Sequence, residues 1–418
     1  MDEAPAAARV RTGTFAALSF PNYRLWFFGQ MTSLFGTWMQ TTAQGYLVFQ
    51  LTHEERFLGY VGFASGIASW IFMLYGGAVA DRVPRRRLLV ITQGLSMTLA
   101  LILAALTFVR GSNGQALVAP WHIIVLAFSL GVVNAFDAPA RQSFVLEMVD
   151  RSVLTNAIAL NSTMFNTAMV VGPAAGGLAY AWLGPGWCFV LNGLSFVAVI
   201  AALLSMRLPQ WKAPGRAANA LSEIRAGLHA VRTEPRILGI MCVLGSVSVF
   251  ASGFVTLLPA WAVDVLKGDA STNGFLQSAR GAGALAAALA VAALSPRRSR
   301  GRILLAAAAG MSVFLILYSL TRSLGYSLAA LVCVGACNIA ANNLANSLVQ
   351  SLTPDHLRGR VMSLYMLTFF GLMPIGALLA GTAASLVGVR LTVAIGASST
   401  LVCVGAIAVF VRPLRHVQ

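Results

Sequence analysis

Residues 77–87 read Gly77-Ala78-Val79-Ala80-Asp81-Arg82-Val83-Pro84-Arg85-Arg86-Arg87. One aspartate and four arginines are crowded into a turn bounded by apolar runs at 57–80 and 88–109. Each run is long enough to cross the hydrocarbon core of a bilayer, which takes about 20 mostly apolar residues. A charged turn between two such runs reads as a loop at a membrane face. Working outward, the alternation recurs along the chain. Candidate spans lie near 24–50, 57–80, 88–109, 120–142, 154–182, 186–206, 237–263, 272–294, 303–321, 326–349, 361–387 and 390–411. The fold class predicted is an all-α membrane protein of twelve transmembrane helices.

Composition agrees. The 418 residues are 58% hydrophobic and 10% charged, with a mean hydropathy of +0.77, whereas soluble domains carry about 25% charged residues. A soluble enzyme would have no interior large enough to hide this apolar surface, and a disordered chain would be far more polar. The net charge of +16 reports orientation rather than nucleic-acid binding. With both termini cytoplasmic, the outer loops hold Arg56, Arg110, Lys267, Arg322 and Arg390, and Arg280 lies inside a span. All other Lys and Arg fall on the inner side, the bias expected of cytoplasmic loops. The five cysteines form no CxxC pair and no Cys/His zinc spacing, so no metal site is expected.

The polar stretch 207–236 contains Pro209, Pro214, Gly215 and six basic residues. It divides the chain into an N-terminal six-helix bundle (1–206), a cytoplasmic linker with an amphipathic helix near 219–232, and a C-terminal six-helix bundle (237–418). The halves repeat each other. Gly172 pairs with Gly376, Gly177 with Gly381, Gly184 with Gly388 and Asn134 with Asn338. At a second offset, Gly59 pairs with Gly274 and Arg82 with Arg297. Two repeats of like orientation form a parallel pair about an axis normal to the membrane, with a shared cavity between them.

The turn at 77–87 resembles the signature loop of the major facilitator superfamily, G-x-x-x-D-R-x-G-R-R, with Pro84 in place of the second glycine. Further stretches are similar to the enterobactin-exporter-like and macrolide-efflux-like branch: Gly36-Thr-Trp-Met-Gln40, Pro139-Ala-Arg-Gln-Ser-Phe144, Asn156-Ala-Ile-Ala-Leu-Asn161 and Leu191-Asn-Gly-Leu-Ser-Phe196. The resemblance implies a gating latch of Gly77, Asp81, Arg82, Arg85, Asp137 and Arg141, closing against the helix that opens near Val361. Its counterpart in the second half is degenerate, because Pro296 stands where Asp81 would. Gly172-Pro173-x-x-Gly176-Gly177 in span 5 resembles the motif of antiporter members.

Polar stripes mark candidate cavity residues. Gln30, Ser33, Thr37, Gln40 and Gln44 share a face of span 1, and Asn338, Asn342, Asn346 and Gln350 recur four apart in span 10. Asn134 in span 4 and Ser248 and Ser252 in span 7 complete the set. The resemblance places spans 1, 4, 7 and 10 around the central cavity. Arg280 is a candidate contact for an anionic substrate, or a partner of Asp264.

No Walker A loop is present: the two lysines, Lys212 and Lys267, follow Trp211 and Leu266. An ATP-driven pump is therefore not expected, and the resemblance implies secondary transport by proton antiport with no cofactor. Asp137, Asp264 and, near the inner surface, Glu147 are the candidate proton carriers. The function expected is export of amphipathic small molecules of siderophore or drug type by alternating access. An uptake carrier or lysophospholipid flippase on the same fold stays open. The expected setting is a monomer in the bacterial cytoplasmic membrane, without nucleic acid. An intramembrane enzyme is disfavoured, because no H-E-x-x-H occurs and the five histidines are scattered.

Overall fold

A computed structural model describes residues 13–111, 114, 116–207, 228–293 and 300–416. Among the described residues the regular secondary structure is helical, apart from one isolated antiparallel bridge between Arg110 and Ala116. The first six long helices are α1 (Pro21–Thr52), α2 (Glu55–Ala80), α3 (Arg85–Phe108), α4 (Pro120–Phe144), α5 (Leu154–Leu183) and α6 (Pro185–Ser205). After the linker come α7 (Pro235–Ser246 and its irregular continuation), α8 (Ala270–Ala293), α9 (Arg300–Leu320), α10 (Leu324–Leu352), α11 (Arg358–Val387) and α12 (Val389–Phe410). Among the described residues, eight helices are long and apolar enough to cross a membrane: α3, α4, α6, α7 and α9 to α12. The linker, its expected helix at 219–232 and the stretch holding Pro296, Arg297 and Arg298 fall mostly or wholly outside the described residues.

Helix ends follow local chemistry. Proline opens α1, α4, α6 and α7, where its missing N–H costs no helical hydrogen bond. Glu234 caps α7 by accepting from the Arg236 backbone N–H, and the Arg236 side-chain hydrogen bond holds its carboxyl below the usual range. Gly184 and Gly388 each join two helices as a single residue, with φ of +86° and +84°. That left-handed conformation is one an L side chain resists.

Span 7 departs from the expected unbroken helix. It runs α to Ser246, π over Val247–Ala251, 3-10 over Ser252–Leu257, and π again over Trp261–Val265. Pro259 lacks the N–H needed for a regular ladder. Gly253 meanwhile lies so close to α11 that an added Cβ would sit 2.6 Å from the Gly376 carbonyl oxygen.

Packing within 21–205 is dominated by α2 on α4, α1 on α5 and α6, and α3 on α4 and α6. In the later part α8 packs on α10, and α9 on α10 and α12. Two extensive contacts join the early helices to the late ones, α2 with α11 and α5 with α8, and smaller ones join α1 to α7 and α8 and α2 to α7. The molecule thus has a Glu55 end and an Asp81 end, named for the termini of α2. Trp121, Trp182, Trp187 and Tyr326 are exposed at the Glu55 end, as aromatic residues are at a membrane–water interface.

Candidate functional site

At the Asp81 end, helix α2 stops where the Asp81 N–H donates to the Gly77 carbonyl (3.1 Å). Pro84 then caps α3 and Arg85 begins it. The expected relay through Asp81, Arg85 and Asp137 is distributed differently here. Arg85 Nη1 donates to Glu147 Oε1 at 2.6 Å. Asp137 is 2% exposed and draws its partners from α3 and its own helix. Thr92 Oγ1 and Gln93 Nε2 both donate to Oδ1 at 2.8 Å, and Arg141 Nε donates to Oδ2 at 2.8 Å, with Arg141 Nη2 also in contact. A carboxylate so deeply buried is tolerable because its oxygens are satisfied. Asp81 is exposed, as is Arg82. The chemical signal for this arrangement was the Thr92-Gln93 pair and Glu147, which the loop motif does not include. Asp264 lies exposed at the Glu55 end, in the last turn of α7, and forms no ion pair with Arg280.

The polar stripes divide in two. Gln30, Gln40, Ser248 and Asn342 are buried in helix packing. Gln40 Oε1 accepts from Asn192 Nδ2 of α6 at 2.7 Å. Ser248 is fully buried, with its hydroxyl unpartnered and its carbonyl against Gly376 of α11. Asn342 donates to the Asn338 carbonyl at 2.9 Å, while Asn338 donates to the Met311 sulfur of α9. By contrast, Thr37, Gln44 and Ser252 are half-buried and Asn134 is exposed. On α10 the stripe itself divides: Asn338 and Asn342 face neighbouring helices, while Asn346 and Gln350 open on a cleft. With the adjacent Asn343, Ser347 and Ser351 they join Arg358 around this opening of about 710 Å³ at the Asp81 end. Helical periodicity alone did not separate the face that binds a neighbour from the face that meets open space.

The Glu55 end is closed by two crossings. On the first, Gly59 of α2 meets Gly381 of α11: a Cβ added at Gly381 would lie 2.6 Å from the Gly59 Cα. The track continues inward through Gly66 against Pro374 and Trp70 against Gly371. On the second, Gly177 of α5 meets α8, where an added Cβ would be 2.5 Å from the Ala270 carbonyl oxygen and 3.1 Å from the Gly274 Cα. The span-5 motif works on two faces. Gly172 and Gly176 admit Trp38 and Met39 of α1, while Pro173 and Gly177 face α8. Pro173 disturbs the local ladder, and the next N–H, of Ala174, donates instead to Ser278 Oγ of α8 at 2.9 Å.

Helices thus meet tightly at the Glu55 end, and an open polar cleft lies at the Asp81 end. A family model described as transmembrane secretion effector matches residues 12–418. The chain belongs to this family, within the major facilitator superfamily. It is similar to the multidrug efflux pump Tap of Mycolicibacterium fortuitum, 27% identical over 404 residues covering 94% of this chain and 96% of that one. It is also similar to the staphyloferrin A transporter of Staphylococcus aureus, 24% identical over 93% of this chain and 96% of that one. The enterobactin exporter EntS of Shigella boydii is 25% identical over 82% and 81% respectively. Among solved structures, a bacterial homolog of the human lysosomal transporter Spinster, inward-facing and unoccupied, superimposes with a TM-score of 0.72 at 14% identity, covering 95% of this chain and 98% of that one. The family member described here is thus a multi-pass membrane transporter with the major facilitator fold.

Proposed function

We propose that this transporter exports amphipathic small molecules, of siderophore or drug type, across the bacterial cytoplasmic membrane by proton antiport. The carrying observation is the whole-chain family match together with a passage shut at the Glu55 end and open to a polar cleft at the Asp81 end. Twelve spans in two six-helix bundles (1–206 and 237–418) with a cytoplasmic linker fit the helix order and the two inter-half crossings. The arginine-rich turn at the Asp81 end supports placing that end, and both termini, in the cytoplasm. In this reading the structure is inward-facing, and cargo enters at Asn346, Gln350 and Arg358. Alternating access then requires the two crossings to part while the Asp81 end closes.

Asp81 has a role in this cycle that its exposure here supports. A carboxylate free in the inward-open state is available to the α11 N-terminus, whose unpaired N–H groups attract negative charge. Asp137 is the candidate proton carrier, already enclosed with Arg141. The reading is tested by dye accumulation in cells with and without the protein, and with and without an uncoupler. Lower accumulation that the uncoupler abolishes is expected. Higher accumulation in the expressing cells would rule out export.

A further inference from the structure

One cation in the membrane interior has no counter-charge. Ion pairs among the described residues include Arg56–Glu54, Arg85–Glu147, Arg141–Asp137, Arg236–Glu234 and Arg358–Asp355. Four lie at or beyond helix ends and Asp137–Arg141 within the last two turns of α4, and Arg280 is in none of them. Arg280 lies in the interior of α8, and its Nε is shut away with no hydrogen-bond partner, although the residue as a whole keeps partial exposure. No Asp or Glu occurs anywhere in α1, α5, α8, α9 or α10. Of the helices that touch α8, only α7 brings an acid, Asp264 in its last turn at the Glu55 end, and Asp264 is exposed and forms no ion pair with Arg280.

The direction in which it points follows from its neighbours on α8. Gly274, Ser278 and Gly281 face α5, the last against the Met169 carbonyl. Gly283 and the Arg280 carbonyl face Val332 and Gly335 of α10. Asn273, Gln277 and Arg280 form the stripe between these two faces. Asn273 Nδ2 donates to the Thr42 carbonyl of α1 at 3.4 Å, and Gln277 Nε2 donates to Asn273 Oδ1 at 3.3 Å. The stripe is thus turned to the centre of the molecule, with Arg280 its deepest member seen from the Glu55 end. Both flanking faces are pinned by close backbone contacts, so the side chain is held in place from its backbone while its buried Nε has no hydrogen-bond partner. A charge at this depth is costly without a partner, and nothing intrinsic to the helices offsets it.

We propose that the missing partner is the cargo: Arg280 grips a carboxylate of an amphipathic substrate through parallel N–H donors, and the transporter selects amphipathic anions over amphipathic cations. The planar guanidinium fork suits a flat oxyanion in a way a lysine ammonium does not. The proposal rests on the transporter reading for treating this central space as the cargo site, but not on the direction of transport.

The test is binding to the purified full-length protein, measured by fluorescence polarisation with two dyes sharing one ring system, anionic carboxyfluorescein and cationic rhodamine 6G. The parent is expected to bind carboxyfluorescein. Arg280→Gln should weaken it by about tenfold or more, and Arg280→Lys should do so less, because the charge survives and the fork is lost. Rhodamine 6G should bind Arg280→Gln at least as well as the parent. Without ligand, the thermal midpoint of Arg280→Gln should equal or exceed the parent's, because an uncompensated charge kept for function is a stability cost. The proposal is overturned by a parent that fails to bind carboxyfluorescein, or by equal loss of both dyes in Arg280→Gln. A lowered midpoint in that variant would also overturn it, assigning the guanidinium a structural partner. Failure of uncoupler-sensitive efflux in cells would leave these binding outcomes intact, so the two readings fail separately.

Discussion

The two crossings at the Glu55 end occupy equivalent places in the internal repeat and are built from different chemistry. Gly59 and Gly274 are repeat equivalents, as are Gly177 and Gly381. The contacts are Gly59 on Gly381 and Gly177 on Gly274. Geometry is therefore shared: in each crossing a glycine of one half lets the backbones touch. Polarity is not shared. The α2–α11 track is apolar, with Pro374 seated at Gly66 and the Trp70 indole over Gly371. The α5–α8 track carries a hydrogen bond from Ala174 to Ser278, and beside it the Asn273, Gln277 and Arg280 stripe. The equivalents of that stripe on α2 are Leu58, Gly62 and Ser65. The lesson is that one crossing is packed by apolar groups alone, while the other carries polar groups beside its close contact.

The comparison breaks most readily at the shared glycines. Gly177→Leu and Gly381→Leu should each abolish transport, because a side chain there meets backbone that cannot yield, at a cost of about 1–3 kcal/mol or more. Dye efflux measures this, and retained efflux in either variant would show that the crossing is not needed. A smaller effect, confined to one crossing, is expected from Ser278→Ala. It strands the Ala174 N–H at a cost of about 1–3 kcal/mol, weakening closure between α5 and α8. A cysteine introduced at Thr42 should then react faster with an impermeant thiol reagent applied from the Glu55 side, and an unchanged rate would deny the hydrogen bond a gating role. Smallest in stability is Asp81→Asn. With Asp81 exposed and outside every ion pair among the described residues, its removal should shift stability by less than about 0.5 kcal/mol. Transport should nevertheless fall, because closure of the opposite end loses its carboxylate. Full transport by this variant would refute the latch.

Apolar length made eight spans legible among the described residues, and the helix ends at Pro21, Pro120, Pro185 and Gly184 coincide with local chemistry. The repeat was legible for the same reason: glycines at Gly59, Gly177, Gly274 and Gly381 answer to a steric demand that tolerates no other side chain. Less legible were the partners of polar groups. Gln40 and Asn192 lie far apart in the chain and meet across a helix contact, which no single-helix pattern reveals. Glu147 captures Arg85 from a 3-10 turn beyond α4, so the loop motif named the arginine without its carboxylate. The breaks in α7 were hidden because hydropathy is blind to whether a ladder runs α, 3-10 or π.

Gly184 and Gly388 carry a consequence for how motion spreads. Each leaves no slack between the helix it ends and the helix it begins, so α5 and α6, and likewise α11 and α12, are stapled hairpins. Neither α5 nor α11 can withdraw from its crossing without towing a second helix through the lipid. Opening is thereby committed to the rotation of whole slabs, and a single rod sliding in place is not available to this chain.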